Sequence, residues 1–146
     1  MIKILNPAKT IIRLFALMMG WCLVVSSVSA QEWKIVQQTD WETDFTDVQF
    51  LDNQNGWAVG DNGVIAHTTN GGATWTPQNS GTKTNLEAVH FINANEGWAV
   101  GDNGLILHTT NGGNTWIPQL SGVGLPLFGV YFLDASRGWA VGGEEF

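Results

Sequence analysis

Cysteine and basic side chains are nearly missing from this chain. Of its 146 residues one is cysteine, Cys22, one is tyrosine, Tyr131, and Lys and Arg together number six against thirteen Asp and Glu. A lone cysteine excludes an internal disulfide and any paired-thiolate metal or redox motif. Long apolar runs are missing too. The longest, Leu14 to Val25, has twelve residues, short of the ~20 that a membrane-crossing helix needs.

That run follows Lys3, Lys9 and Arg13 and precedes the small residues Ser26 to Ala30, with Val28 and Ala30 at −3 and −1 of a cut before Gln31. A basic start, a short apolar stretch and a small-residue cleavage site define a secretory signal peptide. Residues 1–30 are therefore expected to direct export, to the periplasm or beyond the cell, and then to be removed. Trp21 stands before Cys22, where a lipid-attachment site would have a small residue, so no lipid anchor is expected.

Removal of the leader takes Cys22 and half of the basic residues with it. Lys34, Lys83 and Arg137 then face all thirteen acidic side chains, a formal charge of −10. Such a surface repels phosphate backbones and anionic bilayers. Neither nucleic acid nor membrane insertion is expected of residues 31–146, and an acidic surface favours basic partners.

What the chain does have is Trp, Phe and Gly: eight, seven and eighteen of them. Aromatic residues interrupted by glycine indicate short strands and tight turns. Their order is periodic. The string G-W-A-V-G begins at Gly56, Gly97 and Gly138, so Trp57, Trp98 and Trp139 recur every 41 residues. Between Gly56–Gln78 and Gly97–Gln119 only Val64/Leu105, Ala66/Leu107, Ala73/Asn114 and Thr76/Ile117 differ. A period of ~40–45 with four short strands per unit marks a β-propeller.

Within one repeat, Leu86–Ile92 reads as strand A and Gly97–Gly101 as strand B. Asp102-Asn103-Gly104 makes a hairpin turn, because an Asn-Gly pair supplies the positive φ that such turns need. Leu105–Thr110 is strand C and Thr115–Gln119 strand D, with Asn111-Gly112-Gly113 between them. The fold class is all-β, with four-stranded blades at 46–78 and 86–119 and a partial blade at 127–146. Trp33-Lys34-Ile35-Val36-Gln37 matches strand D, so 33–37 is expected to be a lone strand D at the start of the partial propeller 31–146. The third repeat reads only as far as strand B, and the chain is expected to be a fragment of a longer propeller.

Thr68-Thr69-Asn70-Gly71-Gly72-Ala73-Thr74-Trp75 and its copy Thr109–Trp116 follow the Asp-box pattern S/T-x-D-x-G-x-T-W, with Asn70 and Asn111 in the Asp position. The residues expected to build these turns are Thr68, Asn70, Gly72, Thr74 and Trp75, and Thr109, Asn111, Gly113, Thr115 and Trp116. The Asx side chain holds backbone amides and the Trp packs over the turn. Together with G-W-A-V-G-D-N-G, these strings resemble the photosystem II stability/assembly factor family of Asp-box propellers, over Phe45–Val141. The resemblance implies a ring of about seven blades and a non-enzymatic scaffold that binds or helps assemble a protein partner, with no cofactor. Photosynthetic members of the family carry an Arg-rich patch, whereas Arg137 is the sole arginine here after the leader.

Asp-boxes also occur in sialidases and other glycosidases, so the alternative is a carbohydrate-active propeller, a lectin or hydrolase whose site lies in further blades. A sialidase needs three arginines and an activated Tyr, and only Arg137 and Tyr131 are available. A carboxylate pair could be sought in Asp61 and Asp102, but both belong to the repeated D-N-G turn. Repetition likewise assigns His67 and His108 to packing rather than to a metal, and Trp57, Trp98 and Trp139 to contacts between blades. No catalytic, cofactor or metal residue is expected.

Binding is expected where repeats diverge. The B–C turns and D–A loops share one face of a propeller. The D–A loops read T-K-T-N-L in one repeat and V-G-L-P-L in the next, and variable loops on a fixed scaffold carry specificity. Asp61, Asn62, Lys83, Asp102 and Asn103 form the candidate face. A protein partner, further blades or a second copy would meet it or the open blade edges.

Overall fold

The computed structural model describes residues 43–144, which lie in one compact unit running from Lys34 to Phe146. The expected leader at 1–30 and the lone strand at 33–37 fall outside the described residues. Strands β1 (Phe45–Phe50), β2 (Gly56–Gly60), β3 (Ile65–Thr68) and β4 (Thr76–Gln78) form an antiparallel sheet in that order, and β5 (Leu86–Phe91), β6 (Gly97–Gly101), β7 (Ile106–Thr109) and β8 (Ile117–Gln119) repeat it. Two further strands, β9 (Leu127–Asp134) and β10 (Arg137–Gly142), pair in the manner of the first two strands of a blade. These sheets are propeller blades. Each first strand adjoins the next, β1 against β5 and β5 against β9, which puts strand A of every blade innermost.

The last strand of each full blade is exposed apart from half-buried Gln78 and contains a proline, Pro77 opposite Ala66 and Pro118 opposite Leu107. Proline lacks the N–H that a central strand must donate and is tolerated at an edge. Strand D begins one or two residues later than its sequence suggests, because Trp75 and Trp116 turn away to cover the loop before it.

The G-W-A-V-G string is accounted for residue by residue. Its first glycine lies under an aromatic ring of strand A: a Cβ at Gly56, Gly97 or Gly138 would run into Phe50, Phe91 or Phe132. Its last glycine meets backbone, since a Cβ at Gly60 or Gly101 would collide with the carbonyl of Asp44 or Asn85. Those two carbonyls accept the N–H of Asp61 and Asp102, at 2.9 and 3.1 Å. All five residues of β2 and of β6 are buried.

The tryptophan between the glycines joins one blade to the next. Trp57 is stacked between His67 of its own blade, ring centroids 4.4 Å apart, and Phe91 of the next blade, 3.7 Å away. Trp98 lies likewise between His108 at 4.6 Å and Phe132 at 3.6 Å. Val59, Ile65, Leu86, Val89 and Leu107 fill the space around the first stack, and Ala88, Val100 and Leu127 lie in the second blade junction. His67 and His108 are thus stacking partners of the tryptophans.

The two histidines differ in their polar partners. His108 Nε2 lies 3.3 Å from the Glu96 carboxylate. Asn55 occupies the Glu96 position in the first blade, and His67 Nε2 is buried with no hydrogen-bond partner. Burial therefore lowers the His67 pKa below its ordinary value, since a charged imidazole there would lose hydration without replacement. The unfolded chain, with an ordinary histidine pKa of about 6.5, then takes up a proton before the folded one does. Stability from this residue is complete above that value and falls as the pH drops from there towards the lower folded pKa. Thermal melting of the chain between pH 8 and 5 is expected to show this acid-side loss, and His67→Gln to reduce it. An equal decline in the variant would contradict the assignment.

Candidate binding face

The blades present two sets of loops, each held together by its own hydrogen bonds. At one end the C–D turns meet the A–B turns: Gly71 N–H donates to Gln54 O at 2.9 Å and Gly112 N–H to Asn95 O at 2.8 Å. At the other end the B–C turn meets the D–A loop, where Asn62 N–H donates to Asn85 Oδ1 at 3.0 Å.

The Asp-box residues belong to the first end, and their polar atoms are used inside the turn. Thr109 Oγ1, buried, accepts the N–H of Asn111 and Gly113 at 3.3 and 2.9 Å and donates to Asn111 Oδ1 at 3.0 Å. Asn111 Oδ1 also accepts the N–H of Thr115, and Asn111 Nδ2 donates to Thr115 Oγ1, both at 2.9 Å. Thr68, Asn70, Gly72 and Thr74 repeat each bond. Gly71 and Gly72 have φ of +67° and +80°, Gly112 and Gly113 +70° and +87°, a region in which only glycine is unstrained. Trp116 is buried edge-on against Phe91 at 5.8 Å, and Trp75, half-buried, meets Phe50 at 5.9 Å. Asparagine also serves this turn as a donor, through a bond to the threonine hydroxyl that an ionised aspartate could not make.

Some of the repeat's polar residues were not singled out by sequence reading. Asp52 Oδ1 accepts the N–H of Gln54 and Asn55, both at 2.7 Å, and Asn93 Oδ1 those of Asn95 and Glu96, both at 2.9 Å. In the third repeat Asp134 accepts from Ser136 N–H at 2.9 Å and pairs with Arg137 at 2.6 Å, which holds its pKa down to about 2. The 41-residue recurrence of Asp52, Asn93 and Asp134 was the available signal. Blade junctions have their own bonds. Gln49 Nε2 donates to Phe91 O at 3.2 Å, and His90 Nε2 lies 3.0 Å from Phe132 O in the corresponding place. Gly112 O accepts both Trp57 Nε1, at 3.3 Å, and Gln78 Nε2, at 2.8 Å.

At the other end, Asp61–Val64 and Asp102–Leu105 are tight turns closed by Val64 N–H to Asp61 O at 3.2 Å and Leu105 N–H to Asp102 O at 3.1 Å. Asn62 and Asn103 have φ of +57° and +58° and the following glycines +71° and +69°, as a type I′ hairpin turn requires. Asn62, Asn103 and Lys83 are exposed, and Asp61 and Asp102 half-buried. The D–A loops take the same local shape in spite of their different sequences. Ser80 Oγ accepts Thr82 N–H at 3.3 Å, and Ser121 Oγ accepts Val123 N–H at 3.2 Å, around Gly81 and Gly122 at φ +76° and +77°. A hollow of about 450 Å³ opens between Thr84 of the first D–A loop, the turn Asp102–Gly104, and Gln119–Val123. It takes in Asp102 and Asn103. Lys83 flanks it through Thr84, and Asp61 and Asn62 lie on the neighbouring turn. Leu120, entirely exposed, and Val123, half-exposed, give it an apolar rim. Among the described residues no three His, Cys, Asp or Glu side chains cluster to hold a metal, and no helix is long and apolar enough to cross a membrane.

Removing the Asn111 side chain is expected to cost about 1–2 kcal/mol, since three local hydrogen bonds at a partly exposed turn are lost. Asn111→Asp should recover most of it, with the threonine hydroxyl turned to donate. Chemical denaturation of Asn111→Ala and Asn111→Asp checks this, and an unchanged Asn111→Ala would show that the turn needs no side-chain bridge.

Comparison with known proteins agrees with this architecture. The family model described as Photosynthesis system II assembly factor YCF48 matches residues 25–126, which is 102 of the 146 residues. The Photosystem II assembly lipoprotein Ycf48 of Prochlorococcus marinus strain MIT 9312 is 37% identical over 65 residues, covering 40% of this chain and 19% of that protein. Its counterpart from strain NATL2A is 37% identical over 72 residues, 48% of this chain and 21% of that protein. Among solved structures, one described as YCF48 bound to D1 peptide superposes with a TM-score of 0.60 at 29% identity, covering 68% of this chain and 33% of that one. YCF48 from Cyanidioschyzon merolae, at 18% identity and a TM-score of 0.61 over 71% of this chain and 36% of that one, shares the fold. The chain thus spans about a fifth of the curated relatives and a third of the solved ones. With its matched repeats, Asp-box turns and blade geometry, the chain belongs to the Photosynthesis system II assembly factor YCF48 family.

Proposed function

We propose that this chain is the binding part of an exported, non-enzymatic propeller scaffold, and that its D–A and B–C loop face receives a segment of a protein partner. The observation that carries this reading is the contrast between the two loop ends. The Asp-box residues direct their hydrogen bonds into their own turn. The other end holds one backbone shape in both blades and varies its side chains, from Thr82, Lys83, Thr84 and Asn85 to Val123, Gly124, Leu125 and Pro126. The hollow there joins an apolar rim, Leu120 and Val123, to the polar groups of Asp102, Asn103 and Ser121. Apolar anchorage beside a few convergent polar groups suits an extended peptide. A structural relative is described as bound to a peptide, which supports the same class of ligand here. The acidic residues favour a partner segment with basic side chains. Export rests on the leader read at 1–30.

A photo-crosslinking residue placed at Asn103 or Asn62 is expected to give a discrete adduct with a protein partner in cells that express the chain. The same residue at exposed Thr110, in the opposite loops, should give none. Adducts from Thr110 alone, or equally from all three positions, would overturn the assignment of the face.

A further inference from the structure

The two D–A loops share one shape and differ in nearly everything else. Asn79-Ser80-Gly81-Thr82-Lys83-Thr84-Asn85 in the first becomes Leu120-Ser121-Gly122-Val123-Gly124-Leu125-Pro126 in the second. The Ser-Gly pair is kept. It holds both loops through the bonds from Thr82 and Val123 N–H to the serine hydroxyls and through the positive φ of Gly81 and Gly122. Every other side chain of the first loop, polar or charged, gives way in the second to an aliphatic one, to glycine or to proline. Folding does not require that exchange, because the first loop takes the same shape without it.

These positions face outward in a blade that has a complete neighbour. Asn79 is exposed and Thr82 half-buried although the second blade follows them. Leu120 and Val123 hold the same two places, one entirely exposed and the other half-exposed. Aliphatic side chains placed in water where Asn and Thr serve equally well gain nothing for the fold. Beside a concave, partly polar surface they suit a ligand.

That hollow carries one charge. Among the described residues its lining contains a single ionisable side chain, Asp102, and from Asn103 to Leu133 the sequence has no Asp, Glu, Lys or Arg. Asp47, Asp52 and Asp134 use their carboxylates to accept hydrogen bonds. The Asp102 carboxylate and the Asn103 side-chain amide have no partner among the described residues. In the first blade Asp61 has Asn79 and Thr82 in the corresponding places. An aliphatic rim and an unpaired carboxylate therefore occur together only in the second of the two full blades.

We propose, resting on the loop face assigned above, that this hollow selects an extended protein segment with an aliphatic and a basic side chain two positions apart. An extended chain presents residues i and i+2 on one side, so both side chains enter together. The aliphatic one packs against Leu120 and Val123. The ammonium or guanidinium group pairs with the Asp102 carboxylate, and the Asn103 amide bonds the segment's backbone. Leu120 and Asp102 are the specificity-determining residues, one for apolar contact and one for charge.

A peptide array tests this, with every residue pair at positions i and i+2 of a glycine-serine frame, probed with the purified chain. Pairs of one aliphatic residue with Lys or Arg are expected to be retained above pairs holding Glu or Ser in either place. Fluorescence anisotropy then measures the retained peptides. Leu120→Asn combined with Val123→Thr installs the first loop's own residues and is expected to weaken binding about tenfold. Asp102→Asn leaves the turn closed, since the Asp102 carbonyl closes it. It is expected to weaken binding by up to about fivefold and to remove the preference for the basic residue while keeping that for the aliphatic one. A uniform array, retention of acidic pairs, or variants that bind like wild type would overturn the proposal. Binding to neutral phosphatidylcholine vesicles in place of peptides would also overturn it, by assigning the aliphatic rim to a lipid surface. Crosslinks from Asn103 beside a uniform array would leave the face standing and overturn the ligand chemistry alone.

Discussion

The blades are held to one another by one recurring contact, an indole clamped between an imidazole of its own blade and a benzene ring of the next. A single four-stranded sheet of such short strands cannot bury enough apolar surface to fold alone. Its stability comes from neighbours, as in other repeat architectures. The stack decides how closely neighbours approach: centroids of 3.6 and 3.7 Å between Trp and Phe leave no room for a side chain at the adjoining glycine. The first glycine of G-W-A-V-G, the phenylalanine closing strand A and the histidine of strand C follow from that one spacing.

Much of this was legible in the sequence, because repetition reveals what serves the fold. A residue recurring every 41 positions is fixed by the repeat, and this places Trp57, Trp98, His67 and His108 in packing roles. The I′ turns at Asn62-Gly63 and Asn103-Gly104 were readable for a local reason, since few residue pairs accept two successive positive φ values. The bonds across blade junctions were not readable. Gln49, His90 and Tyr131 share a position but not a chemistry, and sequence alone does not show that the first two reach the backbone of the next strand A. The start of strand D was also displaced, because Trp75 and Trp116 have good strand propensity yet are held in the turn by contact with Phe50 and Phe91.

The candidate face was only partly legible. Sequence divergence pointed to the D–A loops and so to Lys83, and the shared side of B–C and D–A loops in a propeller added Asp61, Asn62, Asp102 and Asn103. It did not show that Ser80 and Ser121 hold two dissimilar loops in one shape, nor that Leu120 stands fully exposed beside the hollow. Conserved turn geometry with free choice of side chain lets a scaffold change its ligand without altering its core. Among its named residues Asp61 and Asp102 outnumber Lys83, which gives this face a different charge from a basic one.

The stack between blades is the source of stability on which the fold depends. A double-mutant cycle on Trp57 and Phe91, each changed to Leu singly and together and followed by chemical denaturation, measures it most directly. The coupling expected is about 1 kcal/mol, the range found for stacked aromatic pairs beyond simple burial. Single losses that merely add, with no coupling, would contradict the claim that this ring pair joins the blades.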